Sequence, residues 1–179
     1  MRIAVSGAHR TGKTTLIEKL SRALPTYIVV DEPYYLLEEE GHEFPEMPSL
    51  EDFELQLERS IQCVDDSEDD QLFDRCPADM LAYLIAHPDA DGGEVDPWLP
   101  RARRAMQRLD LVVFVPVEEP DRITVSDPEE NELRRQVDEE LRDMILDDRY
   151  DFGVEAIEVT GNARERARQV LAHGMTRST

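Results

Sequence analysis

The hydrophobic positions of the chain fall into short apolar runs separated by longer segments with helical spacing. The runs are brief and rich in β-branched residues, as strands are, and they lie at 2–6, 26–30, 71–73, 111–115 and 156–159. Segments with apolar residues three and four positions apart predict helices, and they lie at 13–23, 49–64, 77–86, 98–109, 132–147 and from Asn162 to about Leu171. Residues 34–48 predict a short helix and then a loop. This alternation predicts an α/β fold with helices on both faces of a five-stranded parallel sheet.

The length of the chain and its polar segments indicate a simple domain organisation. At 179 residues it is expected to form one domain over 1–175, and residues 176–179 are predicted to be a disordered tail. The fourth run, 111–115, is continuously apolar, which is typical of a strand covered on both faces. The polar segment 116–131 that follows it is predicted to be flexible.

The first apolar run leads into the most specific motif of the chain. Residues 7–14 read G-A-H-R-T-G-K-T and fit the phosphate-binding pattern G-x-x-x-x-G-K-[ST] between a strand and a helix. Backbone N–H groups of such a loop and of the following helix N-terminus surround a phosphate chain. Lys13 is expected to reach the β- and γ-phosphates, and the Thr14 hydroxyl to ligate Mg²⁺. The predicted contacts to ATP are Gly7, His9, Arg10, Thr11, Gly12, Lys13, Thr14 and Thr15. A solvent-facing position is the alternative for His9 and for Arg10.

Charged residues follow the second and third predicted strands. Asp31, Glu32 and Pro33 follow one, and Asp74 and Arg75 follow the other. Because the carboxyl ends of parallel strands lie at one edge of a sheet, both clusters are expected beside the phosphate loop.

Each of these residue types suits phosphoryl transfer. Glu32 can take the proton of an acceptor hydroxyl, with Asp31 as the alternative. Asp74 can hold Mg²⁺ directly or through water, and Arg75 can neutralise charge on the transferring group. The competing interpretations are that Glu32 only caps the next helix and that Asp74 and Arg75 form a local ion pair.

The composition limits the classes of partner. The formal net charge is -21, and such an acidic surface disfavours long nucleic acids, whose binding needs phosphate neutralisation; it also fits adaptation to high salt. Cys63 and Cys76 are expected to be free thiols in a reducing cytosol. With no signal peptide and no apolar run of about 20 residues, a cytoplasmic protein without membrane association is expected.

Two motifs resemble known kinase families. Glu32-Pro33 and Asp74-Arg75 resemble the Glu-Pro and [DE]-R-S motifs of the deoxynucleoside kinases. The phrase D-R-C-P-A-D-M-L-A-Y at 74–83 is similar to the ribosylnicotinamide-kinase domain of NAD-regulatory proteins and to their AAA-like ATPase relatives, although Cys76 replaces the common serine. The resemblance implies a three-layer P-loop NTPase fold with a helical lid at about 117–147.

The resemblance also implies roles for individual residues. Glu32 would be the base for the acceptor hydroxyl, and Asp74 and Arg75 would contact metal and phosphate. Arg122 and Arg134 are the candidate lid arginines, with Arg135 as an alternative; Arg134 and Arg135 could instead form surface ion pairs on their helix. Gly161 and Asn162 would run beside the adenine, or would form an ordinary turn and N-cap.

The combined prediction is an ATP- and Mg²⁺-dependent phosphotransferase acting on a hydroxyl of a small nucleoside-like or nucleotide-like acceptor. The alternative is a nucleotide-dependent regulatory ATPase or binding protein, and a polynucleotide 5'-hydroxyl kinase is disfavoured by the charge. The basic helix around 101–108 is expected to be a solvated face or a dock for an anionic acceptor. Aromatic residues that could stack on a substrate ring are Tyr34, Tyr35, Phe44, Phe53 and Trp98. An oligomer is possible.

Overall fold

The computed structural model describes residues 1–118 and 127–175. Its strands are β1 (Arg2–Ser6), β2 (Ile28–Val30), β3 (Gln71–Asp74), β4 (Leu111–Phe114) and β5 (Ala156–Glu158). Its helices are α1 (Lys13–Ala23), α2 (Pro33–Glu39), α3 (Leu50–Asp65), α4 (Pro77–Ala86), α5 (Leu99–Met106), α6 (Pro128–Ile145) and α7 (Ala163–Met175). None of the helices in these two ranges has the length and hydropathy that crossing a membrane requires.

The sheet confirms the predicted parallel arrangement. Its strand order is β2-β3-β1-β4-β5, and every neighbouring pair is parallel. In the register, Val5 of β1 lies beside Asp74 of β3 on one side and Val113 of β4 on the other. The loops that follow β1, β2 and β3 therefore meet at one edge of the sheet, as predicted.

Two apolar clusters on opposite faces of the sheet make the fold three-layered. On one face, the α1 side chains Leu16 and Leu20 pack with Val5 of β1 and Val170 of α7. The other face is covered by α3, α4, α5 and α6, whose core residues pack against Ala4 and Phe73. Alternate residues of β1 thus belong to different clusters, because successive strand side chains point to opposite faces.

Helix α6 begins earlier than the sequence pattern indicates. The structure starts it at Pro128, so the assignment of 128–131 to a flexible segment is wrong. Asp127 is the N-cap, and its Oδ1 accepts from the backbone N of Glu129 at 2.9 Å and of Glu130 at 3.4 Å. Val137 and Leu141 of this helix are fully buried, so the middle of α6, within the predicted lid, is packed into the domain. Residues 119–126, which include Arg122, and the predicted tail 176–179 lie outside the described residues.

Candidate active site

The phosphate-binding loop occupies the central position at the carboxyl edge of the sheet. It leaves β1 at Gly7 and enters α1 after Gly12, whose φ of 90° lies in the left-handed region that favours glycine. A Cβ on Gly7 would collide with the Val115 carbonyl oxygen. Thr11 closes the loop from inside, since its Oγ1 donates to the Ala8 carbonyl at 3.0 Å. Both glycines of the motif are thus required by the path of the backbone.

Lys13 is held inside the loop. Its Nζ donates to the Ala8 carbonyl at 2.7 Å, and the residue is only 6% exposed. Burial, and next the charge of Arg75, lower the pKa of Lys13 to about 7. A buried amine of this kind gains a proton and a strong partner when an anion enters the loop.

Side chains from α4 and α6 fix the outer part of the loop. The Tyr83 hydroxyl accepts from the His9 backbone N at 3.0 Å and lies 3.1 Å from Nδ1 of the His9 ring. Arg134, which is 1% exposed, donates from Nε to the His9 carbonyl at 3.0 Å and from Nη2 to the Arg10 carbonyl at 3.2 Å. Burial, followed by nearby arginines and Lys13, lowers the pKa of His9 to about 4, so this ring is neutral at physiological pH.

Glu32 and Arg75 meet beside the loop. Arg75 Nε donates to Glu32 Oε1 at 2.5 Å, and its Nη1 donates to the Gly7 carbonyl at 3.1 Å. Arg75 has a φ of 75°, a strained conformation for a non-glycine residue, and it is 7% exposed. The guanidinium therefore joins the candidate base to the start of the phosphate loop.

Asp79 completes this network from the first turn of α4. The carboxylate is fully buried and accepts from the Gly7 backbone N at 3.1 Å and from the Cys76 backbone N at 2.9 Å. It also lies 3.3 Å from Arg75 Nη1. Burial by itself would lower the pKa of Arg75, but Glu32, Tyr83, Asp79 and Asp74 together outweigh it and raise this pKa well above its usual range.

Asp74 and Thr14 have the chemistry expected of Mg²⁺ ligands. Asp74 Oδ1 is buried and has no hydrogen-bond partner within the described ranges. Burial, and next the negative charge of Glu32, raise the pKa of Asp74 to about 6. Thr14 is exposed in the first turn of α1. A hard oxygen donor without a partner next to a phosphate loop fits a magnesium ion.

A cavity of about 870 Å³ opens beside Glu32 and the phosphate loop. It lies between the segment after β2, helices α3 and α4, and the first turns of α6. Its lining residues are His9, Arg10, Glu32, Tyr34, Glu46, Met47, Pro48, Phe53, Gln56, Arg75, Met80, Tyr83, Ala86, Pro88, Asp127, Glu129, Glu130, Glu132, Leu133 and Gln136. A volume of this size is sufficient for a small-molecule ligand.

Comparison with known proteins assigns the chain to a family. Residues 2–166 match the family model described as an AAA domain. The chain belongs to this AAA-domain family. No curated protein matches the chain at a significant level.

Solved structures share the fold of this AAA-domain protein. The deoxyadenosine kinase from M. mycoides is 15% identical, with a TM-score of 0.68 over 98% of this chain and 99% of that chain. The thymidylate kinase from Candida albicans is 14% identical, with a TM-score of 0.65 over 98% and 91% of the two chains. The NadR protein in complex with NR is 19% identical, with a TM-score of 0.60 over 89% of this chain and 43% of that chain. These similarities confirm the predicted three-layer P-loop NTPase fold.

The AAA-domain structure brings most of the predicted site residues together. The phosphate loop, Glu32 and Arg75 are linked by direct hydrogen bonds, whereas Asp31 is exposed and does not line the cavity. Arg10 is exposed and its Nε lies 2.9 Å from Glu130. Arg134 contacts the loop backbone, and Arg135 is exposed on α6.

The segment after β5 forms a turn and an N-cap. Asn162 Oδ1 accepts from the backbone N of Arg164 and of Glu165, so this side chain caps α7. The Gly161 backbone N donates to Glu118 Oε1 at 2.6 Å. A contact of Gly161 and Asn162 with the adenine, and of the exposed Thr15 with phosphate, stays a prediction.

The aromatic and basic candidates divide by position. Tyr34 and Phe53 line the cavity, whereas Phe44 stacks on Tyr34 with ring centroids 4.3 Å apart and Tyr35 is exposed.

Trp98 Nε1 donates to Glu54 at 3.1 Å. Two basic side chains of α5 have structural partners: Arg101 donates to Glu58, and Arg103 donates to the Tyr150 carbonyl. The cavity lining within the described residues includes no residue of α5.

Three residues that contact the phosphate loop were not singled out by sequence reasoning. Asp79 and Tyr83 belong to the phrase at 74–83 and lie at helical spacing after Arg75, which was the available signal. Arg166 of α7 donates from Nη1 to the Thr11 carbonyl at 2.6 Å and from Nη2 to Glu118 at 2.9 Å. No motif marks Arg166, because its partners come from distant parts of the chain.

Proposed function

We propose that the protein transfers the γ-phosphoryl group of ATP to a hydroxyl group of a small, nucleoside-like acceptor. The observation that carries the proposal is that one cavity is lined by Glu32, Arg75 and the phosphate-loop residues His9 and Arg10. An acceptor in this cavity would have its hydroxyl between a carboxylate and the bound triphosphate. The structures that share the fold include kinases of deoxyadenosine and of shikimate, two acceptors with hydroxyl groups, which supports transfer to a hydroxyl. The thymidylate kinase supports phosphoryl transfer to a small molecule in general.

The roles follow from the chemistry of each side chain. The acceptor oxygen attacks the γ-phosphorus while its proton passes to Glu32, and the bond to the β,γ-bridging oxygen breaks to release ADP. Lys13 becomes fully charged against the phosphates, and Arg75 orients Glu32. Thr14 and Asp74 would hold Mg²⁺, which neutralises phosphate charge when it is bound.

Nucleotide binding is tested by thermal shift with ATP and Mg²⁺. We expect the wild-type protein to be stabilised and Lys13→Ala to lose most of the shift, because the amine is the principal cation within the loop. Lys19→Ala, on the same helix but outside the loop, is the control and should shift like wild type. An equal shift for Lys13→Ala and wild type would contradict the assignment of the loop.

Transfer is tested with γ-labelled ATP and a panel of acceptors: nucleosides, ribosylnicotinamide, shikimate and short oligonucleotides. We expect label on at least one small acceptor and none on oligonucleotides. If no compound of the panel accepts label, the phosphotransferase proposal fails.

The second candidate is a nucleotide-dependent regulatory ATPase. The observation in its favour is that Arg75 engages Glu32 at 2.5 Å, so the carboxylate has a cationic partner before any acceptor arrives. A regulator would bind or hydrolyse ATP without an acceptor, and Glu32→Gln would leave its basal hydrolysis unchanged.

A further inference from the structure

The side chains that line the cavity carry more negative than positive charge. Its carboxylates are Glu32, Glu46, Asp127, Glu129, Glu130 and Glu132, and its arginines are Arg10 and Arg75. Both arginines are already paired, Arg10 with Glu130 and Arg75 with Glu32. His9 is neutral at physiological pH because its pKa is lowered to about 4. Within the described residues, the lining offers an anionic ligand no cation that is not already in an ion pair.

The remaining carboxylates lie on two sides of the cavity. Glu46 comes from the segment between α2 and α3, and Asp127, Glu129 and Glu132 come from the start of α6. None of these four is in an ion pair among residues 1–118 and 127–175, although Glu132 accepts a hydrogen bond from Gln136 Nε2 at 3.0 Å. Asp127 and Glu129 also stabilise the N-terminus of α6, where negative charge is favourable. Glu46 and Glu132 lie outside that first turn, so helix stabilisation does not explain their charge.

Three aromatic rings also line the cavity. Phe53 and Tyr83 are stacked with centroids 5.1 Å apart, and Tyr34 lines the same space. Tyr83 already holds a cation, since the Arg75 guanidinium lies 5.3 Å from its ring centroid. The partly exposed rings of Tyr34 and Phe53, combined with carboxylates that have no cationic partner, favour an organic cation over an anion.

We propose that the part of the acceptor away from the reacting hydroxyl is neutral or, preferably, positively charged. Acceptors that carry a phosphate or a carboxylate in that part are rejected. This inference rests on the phosphotransferase function proposed above. Glu46 and Glu132 are its specificity-determining residues. They act through charge at the rim of the cavity, whereas Glu32 acts on the hydroxyl.

A matched set of acceptors tests the charge selection directly. Uridine, 5-aminomethyluridine and 5-carboxyuridine share one scaffold and differ in charge away from the 5'-hydroxyl. We expect kcat/KM to be highest for 5-aminomethyluridine, lower for uridine and lowest for 5-carboxyuridine, with about a tenfold ratio between the first and the last at low ionic strength. This kcat/KM ratio should shrink between about 0.05 M and about 0.5 M NaCl, because salt screens the charges at the rim of the cavity.

Variants that remove carboxylate charges show which residues cause the charge selection. Glu46→Gln combined with Glu132→Gln should reduce the kcat/KM ratio between 5-aminomethyluridine and 5-carboxyuridine by at least half, whereas Glu139→Gln should leave this ratio unchanged. Glu139 is exposed on the same helix but does not line the cavity. Equal kcat/KM for the three compounds, or a preference for 5-carboxyuridine, would overturn the inference while leaving the phosphotransferase function standing.

Equilibrium binding separates the two proposals if none of the three compounds is phosphorylated. Their dissociation constants are then measured by calorimetry in the presence of a non-hydrolysable ATP analogue. The same order of affinities supports charge selection, although the absence of transfer counts against the proposed function. No ordering, or no binding of any member, overturns the inference.

Discussion

At the scale of single residues, the site contains buried charged side chains that differ in their hydrogen-bond partners. Asp79 is fully buried and accepts two backbone N–H groups, whereas Asp74 Oδ1 is buried with no hydrogen-bond partner in the described ranges. Lys13 has lost much of its basicity. The two aspartates are therefore expected to differ in function: Asp79 stabilises the loop, and Asp74 is available to a ligand.

Opposite effects on stability are predicted for these two aspartates. Asp79→Asn should lower the free energy of unfolding by about 3 kcal/mol, because it breaks a buried charge pair with Arg75. Asp74→Asn should raise the free energy of unfolding by about 1 kcal/mol at pH 8. The pKa of Asp74 is raised to about 6 in the fold, so its ionised form is penalised above that pH.

Urea unfolding at several pH values checks both variants. The stabilisation by Asp74→Asn should be complete above about pH 6 and should vanish only as the pH falls below 3.8, where both folded and unfolded Asp74 become protonated. Stabilisation by Asp79→Asn, or a gain from Asp74→Asn that does not depend on pH, would contradict the charge assignment.

Proton uptake is predicted when ATP binds. The pKa of free Lys13 is about 7, so at pH 8 most of the amine is neutral, and a bound triphosphate raises this pKa again. Calorimetry in buffers with different ionisation enthalpies should give an uptake approaching about one proton near pH 8 and clearly less near pH 6. Lys13→Arg, which stays charged, should show no uptake. Buffer-independent heats for the wild-type protein would contradict the lowered pKa of Lys13.

At the scale of secondary-structure elements, sequence patterns predicted the strands well and the start of α6 poorly. The apolar runs and the motif at 7–14 were local signals, and they placed β1, α1 and the loop correctly. The polar composition of 116–131 predicted a flexible segment, whereas the structure has an N-cap at Asp127 and begins the helix at Pro128. The contacts of Arg134 and Arg166 with the loop depend on how α6 and α7 pack, which no local pattern specifies.

The start of α6 can be tested through its cap. Asp127→Ala should lower the free energy of unfolding by about 1 kcal/mol, because two backbone N–H groups lose their acceptor. Asp127→Asn keeps an acceptor oxygen and should cost much less. Denaturant unfolding of both variants measures the difference. An Asp127→Ala variant as stable as wild type would place the start of the helix elsewhere.

At the scale of the whole molecule, the order of the strands explains why separate motifs form one site. With β1 between β3 and β4, and β2 outside β3, the loops after three strands converge at one edge. The α/β alternation made this convergence predictable before the structure. The cavity was less predictable, since its lining combines residues from 9 to 136 that share no sequence spacing.

The charge of the whole molecule predicts a salt response. A net charge of -21 opposes the compact state through self-repulsion, and salt screens that repulsion. Tm should therefore rise by several degrees between about 0.05 M and about 0.5 M NaCl. Sucrose at matched osmolality is the control for general solvent effects. A Tm that stays constant or falls with NaCl would argue against net repulsion.

The central claim is that Glu32 is the base in phosphoryl transfer to an acceptor in the cavity. It is tested most directly by the rate of label transfer from γ-labelled ATP to the best acceptor, for wild type, Glu32→Gln and the neighbouring control Asp31→Asn. We predict that Glu32→Gln lowers kcat at least about 100-fold with little change in ATP affinity, and that Asp31→Asn retains wild-type rates. Unchanged transfer by Glu32→Gln, or an equal loss in Asp31→Asn, would contradict the account.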